Sequence, residues 1–182
     1  MDRHEPPRSE SLEQLALLIF TDLHKTIISH ETGSLVGDID SVHDMRVSVR
    51  RLRVALSNFA VCMPKEERKR LRSSLENLAD ALGGVRDMDV MIAAMKDWSP
   101  TRHSHQHGRE KAAVSALIAR LRARRRSRLR ALMNYLGGEE YAGFKLESPS
   151  DWVCIDTKSR VSNTSDSESA RTLTEEEHGQ AA

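Results

Sequence analysis

The sequence predicts an all-α fold, an antiparallel bundle of four to five helices, and three observations carry that prediction. Apolar residues recur at three- and four-residue spacing through most of the chain up to Leu136. Hydrophobic residues make up 38% of the 182 positions but aromatic ones only 4%. Leu, Met and Ala must therefore fill the core, which suits helices and argues against an aromatic-rich β-sandwich. No strand-like alternation appears before about residue 146. The length fits one domain with tails.

Residues 1–9 read as a polar leader broken at Pro6-Pro7. From Ser9 to His30, Leu12, Leu15, Ala16, Ile19, Leu23 and Ile27 make a helical stripe, and Gly33 to Asp38 reads as a loop. Asp40 or Ser41 is expected to cap a second helix running to about Met63. Its apolar residues Val42, Met45, Val49, Leu52, Leu56, Phe59 and Met63 form a 3-4 series that demands a partner helix. Pro64 suits the first turn of a third helix carrying Leu71, Leu75, Leu78 and Leu82, which Gly83-Gly84 is expected to break. Val85 to Trp98 resumes the pattern, residues 99–108 read as a polar loop, and a last helix from Arg109 to Leu136 is closed by Gly137-Gly138. The bundle is thus expected over residues 10–146. Residues 147–182 are expected to form an acidic, disordered tail, because Ser162 to Glu177 offers almost nothing apolar to offset ordering entropy, while Asp151-Trp152-Val153-Cys154-Ile155 is open to either local docking on the bundle or no structure.

The formal net charge of +1 conceals a strong asymmetry. Residues 1–40 carry three basic and eight acidic side chains, residues 41–137 carry 21 and nine, and residues 138–182 carry four and ten. A basic middle between acidic ends points to a polyanionic partner: nucleic acid, an acidic membrane surface or a phosphate polymer. The longest apolar run, Leu15 to Phe20, is far too short to span a bilayer, so no membrane insertion is expected. Cys62 and Cys154 lie far apart with no metal or redox spacing, and a reduced, cytoplasmic protein is the default.

The basic residues have an order of their own. His43, Arg46, Arg50 and Arg53 recur at +3, +4 and +3, and so share a sector of about 80° on one helix, roughly 110° from its apolar seam. Arg51 falls on another flank. Asp44 is the only acid between Ser41 and Met63, so nothing nearby in sequence answers these cations.

The run Val42-His43-Asp44-Met45-Arg46-Val47-Ser48-Val49-Arg50-Arg51-Leu52-Arg53, followed by Leu75-Glu76-Asn77-Leu78-Ala79-Asp80-Ala81-Leu82-Gly83-Gly84-Val85-Arg86-Asp87-Met88-Asp89-Val90, resembles the signature of the CHAD family of histidine-containing α-helical domains. The resemblance covers about residues 10–146. It implies a helical domain that binds inorganic polyphosphate through a cationic groove or channel; apart from the resemblance, neither catalysis nor a cofactor is expected. It also implies association with polyphosphate granules and a triphosphate hydrolase as a partner. The family's basic motif falls on His43, Arg46, Arg50, Arg51 and Arg53, and its second motif on Arg86, Asp87 and Asp89. Full-length members resemble two related helical halves, whereas this chain carries one set of motifs like those of the N-terminal half. A homodimer in which a second copy supplies the absent half is therefore expected, with masking of the arginines by Glu175, Glu176 and Glu177 as the competing expectation.

Guanidinium groups stay charged and donate through a fixed fork, which suits repeated phosphate contacts. His43 would add a proton-dependent contact. Lys65, Arg68, Lys69 and Arg72 form a second basic ladder, of which Arg72 is the best ligand candidate. In the last helix Arg125 occupies an apolar seam position and is expected to face a wet, anion-accepting groove beside Arg122 and Arg126. Arg86, Asp87 and Asp89 are expected to orient basic side chains. Asp87 and Asp89 point about 160° apart on a helix, which defeats metal chelation. His103, His105 and His107 lack a carboxylate or thiolate shell, so no metal site is expected. Three alternatives compete. A nucleic-acid binder is disfavoured by the lack of aromatics among the arginines, and a phosphohydrolase by the lack of a phosphate loop or nucleophile–base pair. The third is a helical adaptor or regulator of a triphosphate-metabolising enzyme.

Overall fold

The computed structural model describes residues 12–98 and 107–154. Among them the fold is entirely helical, with no strand: α1 (Leu12–Ser29), α2 (Glu31–Val36), α3 (Ile39–Asn58), α4 (Lys65–Asp97), α5 (His107–Leu136) and α6 (Glu139–Leu146). Short 3-10 turns cover Ala60–Cys62 and Pro149–Trp152. The four long helices pack in chain order. Arg46 of α3 lies over Gly83 of α4, while Arg53 meets Glu76, so the pair runs antiparallel. Likewise Arg125 of α5 meets Asp89 and Tyr135 donates to the Ser74 carbonyl, which makes α4 and α5 antiparallel. The α3 seam supplies the centre of the core: Val42, Met45, Val49 and Leu52 are fully buried against Leu71, Leu75, Leu78 and Leu82 of α4.

The departures from the expected boundaries have local causes. Residues 33–38 are not a loop. His30 gives its carbonyl to Ser34 N–H, and α2 forms a short helix that ends at Gly37 with φ of +78°. Only glycine adopts that left-handed turn freely, and a Cβ there would stand 2.6 Å from Leu129 Cδ2. The cap of α3 is Asp38, not Asp40 or Ser41. Its carboxylate accepts from the Ser41 N–H at 2.8 Å and the Ser41 hydroxyl at 2.7 Å, and these bonds hold its pKa below the ordinary value. The helix stops at Asn58, so Phe59 and Met63 reach the core from beyond its end.

Gly83-Gly84 does not break α4, which is continuous for 33 residues. Neighbouring turns and packing on both sides outweigh a propensity cost of about 1 kcal/mol per glycine. The chain is also packed beyond residue 146, where the bundle was expected to end. Trp152 is 1% exposed and Val153 7%. Trp152 sits among Phe20, His24 and Phe144, and its indole N–H donates to Glu147 at 3.0 Å. The buried His24 Nε2–H donates to the Phe144 carbonyl at 2.9 Å and closes this end of the core. Residues 1–11, 99–106 and 155–182, hence the polar leader, most of the polar loop with His103 and His105, and the acidic segment, lie outside the described residues. Among the described residues no helix is long and apolar enough to cross a membrane, and no group of side chains is placed to hold a metal ion.

Candidate functional site: a basic track over helices three and four

Because α3 buries its apolar seam against α1 and α4, its arginine stripe emerges at the edge of the α3–α4 contact. Three cavities follow one another along that edge. The first, of ≈430 Å³, is lined by Arg46, Arg50 and Arg53 from α3, by Asp80 and Asp87 from α4 and by Arg128 from α5. Gly83 and Gly84 form part of its wall. The second, of ≈300 Å³, shares Arg50 and Arg53 with the first and adds Ser57 and Arg72. The third, of ≈440 Å³, shares Arg53, Ser57 and Arg72 with the second and adds Lys65, Arg68 and Lys69. Shared residues place the three side by side, as one basic track along the α3–α4 edge. Eight basic side chains line it, against Asp80 and Asp87 in its lining and Glu76 beside it.

Gly84 accounts for the arrival of an α5 side chain at the α3–α4 edge. A Cβ at Gly84 would stand 3.2 Å from Arg128 Cδ, and one at Gly83 would stand 3.8 Å from Arg46 Nε. Bare backbone at Gly84 lets the Arg128 stem of α5 lie across α4, whereas at Gly83 a Cβ would meet Arg46 only at ordinary contact distance. Arg128 is thereby a member of the site that the α3 motif alone does not reveal. Its signal in the sequence is the glycine pair, a costly insertion in a helix unless another side chain occupies the space.

The cations are not equally free. Arg53 Nη2 and Arg72 Nε both donate to Glu76 Oε1, at 3.2 and 3.1 Å. The Arg72 hydrogen bond foremost, and then the charge of Arg53, holds the Glu76 carboxyl below its ordinary range. Arg68 Nη1 donates to the Ala60 carbonyl at 3.1 Å, which anchors the end of the track. Arg46, Arg50 and Arg128 have no carboxylate partner among the described residues. Asp80 and Asp87 line the first cavity without forming an ion pair among those residues.

The remaining candidates go elsewhere. Arg125 does not open onto an anion-accepting groove. Its Nε donates to Asp89 Oδ1, while Nη2 reaches Asp89 Oδ2 at 3.3 Å and the Gly37 carbonyl at 2.8 Å. With side-chain exposures of 19% and 5%, Arg125 and Asp89 form a partly buried pair that ties α5 to α4 and to the end of α2. The seam position is thus satisfied by a carboxylate one helix away, which sequence spacing cannot show. Asp87 and Asp89 face different helices, one toward the track and the other toward α5. Arg51 lies with Arg50 on the rim of an apolar groove between α1 and α3, beside Leu18, Leu23 and Val54. Arg122 and Arg126 are exposed, His43 is exposed at the start of α3 and Arg86 is half-buried; none of the four lines the track.

The family profile described as "CHAD domain" matches residues 18–180. The chain belongs to the CHAD domain family. That match takes in the whole basic track of this CHAD domain and the Trp152 segment behind it. No curated protein and no solved structure matches the chain.

Proposed function

We propose that this CHAD domain binds inorganic polyphosphate, or a similar linear phosphate polyanion, along the α3–α4 track and does no chemistry on it. The observation that carries the reading is the succession of three adjoining cavities, with a guanidinium or ammonium group at each stage. Arg46 to Ser57 alone rises roughly 16 Å along α3, enough for a chain of phosphates rather than a single one. Each phosphate oxygen that meets an arginine gains a charge-assisted hydrogen bond, and bound counterions are released.

The lining also bears on what the polymer is. Among the described residues no aromatic side chain lines the track, so the bases of a single-stranded nucleic acid would find no stacking platform there. Among the described residues Ser57 is the only hydroxyl in the lining, and its two cavities hold no imidazole or carboxylate; its hydroxyl donates to the Arg53 carbonyl. This supports a holding module; that it presents polymer to a separate triphosphate hydrolase at polyphosphate granules in the cytoplasm is the further part of the proposal. The apolar groove between α1 and α3, with Leu18 and Val54 exposed, supports the homodimer.

A titration with labelled polyphosphate tests the reading. Arg46→Gln/Arg50→Gln/Arg53→Gln is expected to abolish binding while helicity is unchanged, because none of the three belongs to the apolar seam. Duplex or single-stranded DNA that competes as well as polyphosphate at fixed salt would overturn the assignment of polymer. Magnesium-dependent release of phosphate by the pure protein would overturn the absence of chemistry.

A further inference from the structure

About 90 residues separate Cys62 from Cys154 in sequence, and the fold brings them together. The backbone N–H of Cys154 donates to the carbonyl of Cys62 at 2.8 Å. With standard Cα–C, C=O and N–Cα lengths, that bond leaves the two Cα atoms no more than about 6.7 Å apart. Disulfides form when that separation is roughly 4.4–6.8 Å. Both thiols are free, and their environments differ: Cys62 is 2% exposed, whereas Cys154 faces solvent. The contact is held in place from both sides. Met63 and Val153, the extended residues beside the pair, are themselves buried in the core.

We propose that Cys62 and Cys154 form a reversible redox pair that staples the segment carrying Trp152 to the link between α3 and α4. A peroxide is the oxidant. The exposed Cys154 thiolate attacks one peroxide oxygen, the O–O bond breaks, and the departing hydroxide takes a proton to become water. This leaves Cys154 as a sulfenic acid. Cys62 then gives up its proton and attacks the Cys154 sulfur; the S–O bond breaks and a second water leaves. Two thiols lose two electrons and two protons, and one hydrogen peroxide becomes two waters. Burial, followed by the charges of Glu13 and Cys154, pushes the Cys62 thiol up, so it stays protonated and inert until its neighbour is oxidised. The bond closes the intervening loop and restricts the unfolded chain, and it fixes Trp152 in its aromatic surround. It is independent of any ligand on the track.

The test treats the full-length protein with hydrogen peroxide in the absence of reductant, followed by intact mass and a non-reducing peptide map. The expected product is a monomer lighter by two hydrogens, with a Cys62–Cys154 cross-linked peptide and neither thiol open to alkylation. Its thermal midpoint should rise by on the order of 10 °C and return on addition of dithiothreitol. Cys62→Ser should leave Cys154 as a sulfenic acid that dimedone traps. Disulfides only between chains, or oxidised Cys154 with Cys62 still alkylated after unfolding, would overturn the proposal. The wild-type peptide map decides the matter whether or not the serine variant folds.

Discussion

Arg53 of α3 and Arg72 of α4 donate to the same oxygen of Glu76, at 3.2 and 3.1 Å, beside the middle of the basic track. One carboxylate therefore holds two of the cations that a phosphate chain would need, and it competes with that chain for both.

Glu76→Gln should strengthen polyphosphate binding roughly two- to fivefold, the size of effect expected for loss of its exposed pairs with Arg53 and Arg72. The thermal midpoint should barely move. Glu76 has its pKa lowered, so its pairing is complete at neutral pH and is lost as pH falls through that lowered value. Wild type should gain affinity over that acidic window relative to the Gln variant. Fluorescence titrations of both proteins check this; equal affinities at pH 7 would show that Glu76 does not compete.

The Asp89–Arg125 pair is structural, and its removal should show in stability rather than binding. Asp89→Ala strands a partly buried guanidinium and should cost about 3–5 kcal/mol. Asp89→Ala/Arg125→Met should recover much of that loss, because a matched apolar pair leaves no buried charge. Urea denaturation of the two variants distinguishes this from a surface bridge, for which both changes would be near neutral.

The segment after α6 belongs to the core. Trp152→Ala should destabilise the protein by about 3–5 kcal/mol, as for other large buried aromatics, and truncation after residue 146 should do so by at least as much. A truncated chain with unchanged thermal midpoint would restore the boundary at 146.

What the sequence made legible was whatever repeats along one helix. The α3 seam from Val42 to Leu56, the arginine stripe to one side of it and the leucines of α4 follow from 3.6-residue periodicity, and each stands where that periodicity puts it. Relationships between helices were hidden. The partner of Arg125 is Asp89, 36 positions earlier, and Arg128 reaches the track only because α4 and α5 cross at Gly84. Gly83-Gly84 read as a helix break because propensity counts the missing side chains and not the arginines that fill their place. The cap of α3 was missed by two residues for a related reason: Asp38, Asp40 and Ser41 are all competent, and only the backbone at Asp38 is extended. Cys62 and Cys154 looked unrelated because spacing carries no information about long-range pairing.

The glycine pair offers its own check. Gly83→Ala places a Cβ at ordinary contact distance from Arg46 and should stabilise the helix by about 1 kcal/mol with little change in binding. Gly84→Ala must push the Arg128 stem aside and should weaken polyphosphate binding while the fold is retained. Paired titrations and thermal melts report the two effects separately. Equal binding by the two variants would mean that Arg128 contributes nothing to the site.

The most direct measurement is the dependence of polyphosphate affinity on salt. If roughly four to six of the track cations engage the chain, at about 0.7 counterion released per neutralised phosphate, log K against log salt should fall with a slope of about −3 to −4. A slope near zero would contradict the account, because a polymer held by this track cannot bind without releasing its counterions.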